Sequence, residues 1–458
     1  MKVIVCGAGQ VGHNIARYLA QEDNDVYVVD SSPELTRKIS DSLDVKAITG
    51  FASVPSVLEQ AGAADADMLI AVTQADEVNM VACQVAHSLF DVTTKIARIR
   101  QQGYLDQRWA NLYTREHMPI DVIISPEREV ARAISRRLEV PGAFDMISLV
   151  DDQVKLTGIR CGDNCPLINT PLRQLTQLFP DLNVVIIGII REDEAIVPTA
   201  DDELLPGDEV YVVVDAQHVE RTLAAFGHEE REARRIVIIG GGNIGLFLAQ
   251  QIEQEQPSVN VKVVETNKSR AEVVARNLSH SVVLQGDILD PEIMEEANVS
   301  SSEAVIAVTN DDEINILSSL LAKRRGSRRA ITLVNNNTYP PLTASLGIDV
   351  VVSPQNITVS TILQHVRRGR IHSVHTLRED FGELIEAEAM ETSSLVGQPL
   401  KEAELPEGVI VGAVVRDGEV ITPTGSTVVQ TNDRVVIFAV NEAVKQVEKM
   451  FSVRLEFF

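Results

Sequence analysis

The stretch RIVIIGGGNIGLFLAQ, Arg235–Gln250, joins a β-branched run to three glycines, Gly240-x-Gly242-x-x-Gly245, and then to a helical period. A glycine-rich turn between strand and helix lets the backbone approach a pyrophosphate. The helix N-terminus then aims unpaired N–H groups and a positive dipole end at it. The same arrangement opens the chain in MKVIVCGAGQVGHNIARYLA, Met1–Ala20, with Gly7-x-Gly9-x-x-Gly12. One such fingerprint is a weak sign. Two at a fixed offset, each between a strand and a helix, make duplication the organising fact of the chain.

The repeat extends well beyond the glycines. DVYVVD, ending at Asp30, returns as VKVVE, ending at Glu265. LIAVTQADEVNM returns as VIAVTNDDEINI, which pairs Thr73 with Thr309 and Asn79 with Asn315, and IDVIISPE returns as IDVVVSPQ. PLINTPLRQL resembles SLVGQPLKEA, and IIREDEAIVPT resembles VVRDGEVITPT, pairing Arg191 with Arg416. The expected organisation is a tandem: nucleotide-binding units at 1–140 and 229–368, each followed by a small module, at 141–228 and 369–458. In the first unit, strands are expected at 3–6, 26–30, 47–49, 68–72, 96–99 and 122–124, with helical periods between them. That alternation predicts an α/β fold, a Rossmann-like doubly wound parallel sheet in each unit. The modules carry short strands, turn signals such as Pro206-Gly207-Asp208 and Asp417-Gly418, and one or two helices, which predicts a small α+β fold. GHEEREARR, 227–235, reads as the linker between halves.

Composition narrows the function. A chain of 458 residues with 45% hydrophobic content is globular and multidomain. No apolar run approaches the ~20 residues that span a bilayer. The first residues have a strand pattern rather than that of a leader, so a cytoplasmic protein is expected. A net charge of −25 disfavours a nucleic-acid partner, which calls for a basic face, and no helix-turn-helix pattern is evident. The basic runs at 323–329 and 367–370 read as helix ends favoured by the macrodipole, with contact to phosphate or to an acidic neighbour as the alternative. Cys6 and Cys83 fall in apolar patterns. Cys161 and Cys165 form C-x3-C without two further ligands nearby, so no metal site is expected. They read as structural or incidental, with a redox pair or a weak metal site as the other reading. Carboxylates at Asp193, Asp201 and Asp202 read as solvated charge.

Asp30 and Glu265 end the second strand of their units, about 20 residues beyond Gly12 and Gly245, where an acid accepts hydrogen bonds from ribose hydroxyls. A carboxylate there repels a 2′-phosphate, so NAD or an adenine nucleotide is expected rather than NADP. Thr73 and Thr309 stand at the end of the fourth strand with Gln74 and Asn310 beside them. There they face a ligand at the switch point, or Thr or Asp starts the next helix with Glu77 or Glu313 in its first turn, or both. Arg98 lies inside the fifth strand, where a buried charge needs a partner, and a nucleotide phosphate would serve. The second unit reads ITLV there, which predicts a less positive phosphate end. Phe51 after Gly50, against Asp287 after Gly286, predicts pockets of different polarity. The competing enzymatic reading is an NAD-dependent oxidoreductase. It needs a substrate domain with an acid–base group over the nicotinamide. The modules carry no recurring His or Lys of that kind. His218, His228, His365, His372 and His375 read as surface or packing residues.

The phrases GAGQVG, DADMLIAVTQADEVNMVACQVA, ARIR, GGGNIG and AVTNDDEINI, with the tandem arrangement, resemble the potassium-transport nucleotide-binding family over nearly the whole chain. These are cytoplasmic domains that regulate potassium channels and transporters. The resemblance implies binding of NAD(H), and in several members ATP or ADP, with no hydride transfer and therefore no enzymatic function. It implies a homo-oligomeric ring, expected to be a tetramer, peripheral on the inner face of the membrane beneath an integral potassium-translocating subunit. Carried over by residue, it implies contacts from Gly7, Gly9, Gln10, Val11, Asp30, Thr73, Gln74 and Arg98 in one site. In the other it implies Gly240, Gly242, Asn243, Ile244 and Glu265. Gln10 and Asn243 stand where some relatives carry an arginine at the phosphates.

Overall fold

The computed structural model describes all residues except 22–23, 141, 179–181, 229–232, 337–338, 340–345, 367–370, 379–380 and 452–458. The middle of the expected linker and the second basic run therefore lie outside the described residues. The first unit runs β1 (Lys2–Cys6), α1 (Gln10–Gln21), β2 (Asp25–Asp30), α2 (Pro33–Ser42), β3 (Lys46–Thr49), α3 (Pro55–Gln60), β4 (Met68–Ala71), α4 (Asp76–Phe90), β5 (Thr94–Arg98), β6 (Val122–Ile124) and α5 (Pro126–Glu139). Its six parallel strands are ordered β3-β2-β1-β4-β5-β6, the doubly wound order with its switch point between β1 and β4. The register pairs Cys6 with Val29 on one side and with Ala71 on the other. The ends of three strands thus lie side by side and deliver Gly7, Asp30 and Val72 to one rim.

After β7 (Ala143–Leu149), β8 (Val154–Arg160), α6 (Leu172–Leu178), β9 (Val184–Arg191), β10 (Glu194–Ile196), β11 (Glu209–Asp215) and α7 (Val219–Ala225), the second unit repeats the first. It runs β12 (Arg235–Ile239), α8 (Asn243–Glu255), β13 (Asn260–Glu265), α9 (Lys268–Asn277), β14 (Val282–Gln285), α10 (Pro291–Glu296), β15 (Ala304–Ala307), α11 (Asp312–Arg324), β16 (Arg329–Leu333), β17 (Val350–Val352) and α12 (Pro354–Val366). The strand order β14-β13-β12-β15-β16-β17 matches the first sheet strand for strand. Local signals agree between copies as well. Ser32 starts α2 and Asn267 starts α9, each side chain accepting a backbone N–H three residues on.

The two units exchange their last helices. α5 carries Val130, Ala131, Ile134 and Leu138 on one face, and these are buried with Ile238, Leu248 and Ile252 in the core of the second unit. In return Val359, Ile362 and Leu363 of α12 are buried with Val3, Val5, Ile15 and Leu19 of the first. Arg128 lies over the Phe247 ring, 5.3 Å from its centroid. Arg329 donates to the carbonyls of Arg137 and Ala143. The first basic run is therefore not wholly a solvated helix end: Arg329 is spent on the last turn of α5, where a cation meets the negative dipole end. Each sheet is completed by the other unit's helix.

The modules form antiparallel sheets of one topology, β10-β9-β11-β8-β7 in the first. The second has β18 (Ile371–Arg378), β19 (Gly382–Glu388), β20 (Val409–Arg416), β21 (Glu419–Ile421) and β22 (Arg434–Val440), ordered β18-β19-β22-β20-β21, followed by α13 (Val444–Phe451). Arg191 grips buried Asp208 through two hydrogen bonds, 2.9 and 2.8 Å, and Arg416 grips Asp433 at the same distances. The modules share one core, in which Ile187, Tyr211 and Val213 pack with Phe381, Leu384 and Phe438. Gly188 has no side chain because a Cβ there would lie 2.5 Å from the Phe381 ring. Ile134→Ala should cost about 2–5 kcal/mol. Because Ile134 lies in the other unit's core, hydrogen exchange should show protection lost in β12 and β15 rather than in β1 and β4.

Candidate functional site

The three glycines of each fingerprint have three different jobs. Gly7 and Gly240 have φ of +115° and +104°, which a side chain rarely tolerates. A Cβ on Gly12 would sit 1.8 Å from the Gly7 carbonyl oxygen, and one on Gly245 would sit 2.0 Å from that of Gly240. A Cβ on Gly9 or Gly242 would meet nothing within 4 Å. The first glycine makes the turn, the third lets helix and strand touch, and the second leaves open space at the helix N-terminus. Gly242 caps α8 without any side-chain hydrogen bond, so the first N–H groups of that helix stay available to an anion. This geometry fits a pyrophosphate.

The two acids are held alike. Asp30 accepts the N–H of Ala8 at 2.7 Å and of Ser32 at 2.8 Å. Glu265 accepts those of Gly241 and Asn267, both at 2.8 Å. Each carboxylate is thus fixed between the glycine turn and the next helix. A carboxylate has about four lone-pair positions, so each keeps capacity for ribose hydroxyls.

Past the fourth strand the capping expectation fails for both threonines and holds through an aspartate in the second unit. Thr73 does not cap α4. Ala75 stands at its N-cap with no side-chain bond, and in the second unit Asp311 caps α11. The Thr73 N–H and hydroxyl both donate to Asn79 Oδ1, at 2.9 and 2.7 Å, and Thr309 does the same to Asn315. Asn79 Nδ2 donates to the carbonyls of Thr73 and Arg98, and Asn315 Nδ2 to those of Thr309 and Leu333. Both asparagines are fully buried. Each clamps the end of the fourth strand to the end of the fifth. The sequence signal for this was an asparagine in the apolar run of both copies. Asp76 and Asp312 were likewise not singled out. Asp76 accepts the N–H groups of Arg100 and Gln101, and Asp312 those of Asn335 and Asn336.

The two fingerprints open onto one cleft of about 630 Å³ between the units. Gln10, Val11 and Arg98 line it from the first unit, and Gly242, Asn243, Ile244, Glu265 and Thr309 from the second. Gly7 and Gly240 lie in the turns, Gly12 and Gly245 in the first turns of α1 and α8, and Gly9 opens at its own helix end. Asp30, Thr73 and Gln74 do not line this cleft. The exchanged helices reach into it by their first turns. Gln355 of α12 donates to Gln10 Oε1 and to the Asn335 carbonyl. Glu127 of α5 takes Arg100 Nε on one oxygen at 2.8 Å, and its buried other oxygen has no hydrogen-bond partner.

Arg98 donates to the Thr73 carbonyl at 2.8 Å, while its Nε is buried and has no partner. Burial pushes its pKa down, and Arg100 adds to the shift. A buried guanidinium with a spare N–H is built for an anion. The second site was expected to be less positive. It has its own cation, since Arg270 from α9 donates to the Gly241 carbonyl at 2.6 Å and to Asn243 Oδ1 at 3.2 Å. Arg270 has no counterpart in the first fingerprint region, so the repeat gave no sign of it. Among the described residues no cluster of metal-binding side chains occurs. Asn79→Ala should cost about 1–3 kcal/mol for each buried group left unpaired, read as a lowered denaturation midpoint. Asn79→Asp should recover little, because it removes both amide donations.

Comparison with known proteins covers both unit types. The TrkA-N domain family matches residues 3–126 and 236–354, and the TrkA-C domain family matches 156–227 and 384–452. The chain is 54% identical over 458 residues to the Trk system potassium uptake protein TrkA of Azorhizobium caulinodans, covering all of both chains. It is 41% identical over 462 residues to the protein of that name from Halomonas elongata, again covering all of both. Among solved structures, the GsuK RCK domain aligns with TM-score 0.61 at 18% identity, over 99% of this chain and 95% of that one. The GsuK channel bound to NAD aligns with TM-score 0.60 at 16% identity, over 99% and 79%. At such identities the likeness concerns the fold.

Proposed function

We propose a regulatory role for this chain, which belongs to the TrkA family of Trk-system potassium uptake proteins. It binds NAD(H), ATP or ADP at its two fingerprints and passes the ligand state to an integral membrane potassium-translocating subunit. The observation that carries this reading is the shared cleft, which Gln10, Val11 and Arg98, with its unpartnered Nε, line from the first unit and Gly242, Asn243, Ile244 and Glu265 from the second, between units joined by exchanged helices. That a structural neighbour is a channel bound to NAD supports the choice of ligand.

In the first site the pyrophosphate rests against the N-terminus of α1 over Gly9 and Gln10, and Arg98 turns its free Nε to it. Asp30 accepts the ribose hydroxyls. In the second site Gly242, Asn243 and Ile244 take the pyrophosphate, Arg270 supplies the cation and Glu265 holds the ribose. Thr73 and Thr309 keep their strand ends in place through their asparagines, and Gln74 stays at the rim. The nucleotide supplies charge and shape rather than chemistry. A ligand at Gln10 must settle its hydrogen bonds with Gln355, which belongs to the other unit's helix. Each ligand therefore favours one arrangement of the pair, by about 1–3 kcal/mol if coupling is ordinary. Several copies in a homo-oligomeric ring, a tetramer in our reading, sum these terms beneath the transporter on the inner face of the membrane.

Titration with NADH, NAD, ATP and ADP tests the assignment. Asp30→Ala and Glu265→Ala should each weaken one class of site by roughly tenfold to a hundredfold, the loss of charge-assisted hydrogen bonds. Arg98→Ala should weaken ADP binding to the first site more than adenosine binding. Unchanged isotherms in all three variants contradict the site. A strain lacking the protein should take up potassium poorly when potassium is limiting, and normal uptake there contradicts the transport role.

A further inference from the structure

The first turns of the two exchanged helices differ in one charge. Ser125-Pro126-Glu127 leads into α5 and Ser353-Pro354-Gln355 into α12, so an acid in one copy stands where the other has an amide. Gln355 spans the joint between units. Its Nε2 donates to the Asn335 carbonyl of its own unit at 2.8 Å and to Gln10 Oε1 at the first fingerprint. Glu127 makes the near half of that link alone. Its Oε1 accepts Arg100 Nε of its own unit at 2.8 Å, and its buried Oε2 has no hydrogen-bond partner among the described residues. Asn243, the counterpart of Gln10, accepts from Arg270 instead, at 3.2 Å.

Glu127 belongs to the side of the second fingerprint. Val130, one turn on in α5, is buried with Leu248 of α8, and Arg128 lies over the Phe247 ring. Glu127 lines the same cleft as Gly242, Asn243 and Ile244, and it is 7% exposed. A buried carboxylate oxygen without a donor is costly, and a donor brought by a ligand relieves that cost. What a nucleotide brings depends on its class. Past the pyrophosphate a dinucleotide continues into a second ribose, whose hydroxyls donate hydrogen bonds. ADP and ATP end instead in phosphate oxyanions, which accept and which a carboxylate repels. The first fingerprint meets the opposite surroundings. Gln355 beside it is neutral, and Arg98 keeps a buried Nε without a partner in the same cleft.

We propose that Glu127 makes the second fingerprint selective for dinucleotides, NAD(H), by repelling a terminal phosphate, while Gln355 and Arg98 leave the first open to ADP and ATP. This selectivity rests on nucleotide binding at both fingerprints, as proposed above. It comes from a group that excludes the wrong ligand as much as from groups that hold the right one. One chain then reads the nicotinamide dinucleotide and the adenine nucleotide at two neighbouring positions of one cleft.

The test titrates the full-length protein with NADH or ADP, with magnesium chelated so that the phosphates keep their charge. Hydrogen exchange in the first turns of α1, residues 10–13, and α8, residues 243–246, reads each site separately. In the parent, NADH should protect the α8 turn at a concentration at least roughly tenfold below that of ADP. Glu127→Gln installs the residue that the other copy already carries. It should tighten ADP at the α8 turn about tenfold, while NADH gains nothing there. Gln355→Glu, the reciprocal change, should weaken ADP at the α1 turn more than NADH. The proposal is overturned if ADP protects the α8 turn as readily as NADH in the parent. It is equally overturned if Glu127→Gln leaves the ratio of the two nucleotides unchanged or weakens ADP. Absence of protection at both turns with either nucleotide would instead contradict nucleotide binding itself, and the selectivity with it.

Discussion

The interaction on which the rest depends is the reciprocal burial of α5 and α12. Each parallel sheet has a face that its own helices leave incomplete, and an exposed apolar sheet face is costly in water. The chain solves this by handing the last helix of each unit to the other. Ile134 and Ile362, both fully buried, sit in cores built by the opposite half. Two copies in one polypeptide thereby form an internal dimer. The modules repeat the solution with their own shared core around Phe381 and Phe438.

This exchange also brings the two sites together. The helix that leaves β17 begins beside Gln10, and the helix that leaves β6 begins beside the second fingerprint, so the first turns of α5 and α12 enter the cleft. On the proposed reading, a ligand in one site touches residues of both units. Coupling between sites requires a physical element that both ligands bias, and the exchanged helices are the element we propose. The sites are similar in their glycines and acids, yet one takes its cation from β5 and the other from α9. Such unequal pockets suit ligands of different charge.

Much of this was legible in the residues. The β-branched runs and their helical intervals located all six strands of the first sheet, because a strand buried on both faces reads as continuous apolar sequence. The glycines showed their place through spacing alone. The parts that stayed hidden depend on tertiary partners. The apolar face of α5 declares that it is buried, but nothing in its period says against which sheet. Asn79 was visible as a matched position, while its role as the partner of Thr73 required the geometry. Arg329 read as part of a solvated helix end because its acceptors are backbone carbonyls, which leave no signature in the sequence.

The most direct test of the central claim, that each site is completed by the other unit's helix, is hydrogen exchange along the full chain carrying Glu265→Ala, with and without a saturating adenine nucleotide. The nucleotide is held at a concentration that saturates the first site and leaves the weakened second largely empty. The account predicts new protection both around Gly9–Val11 and in the first turn of α12, residues 354–358, which belong to the second unit. Protection confined to residues 1–125, with α12 unchanged, would contradict it.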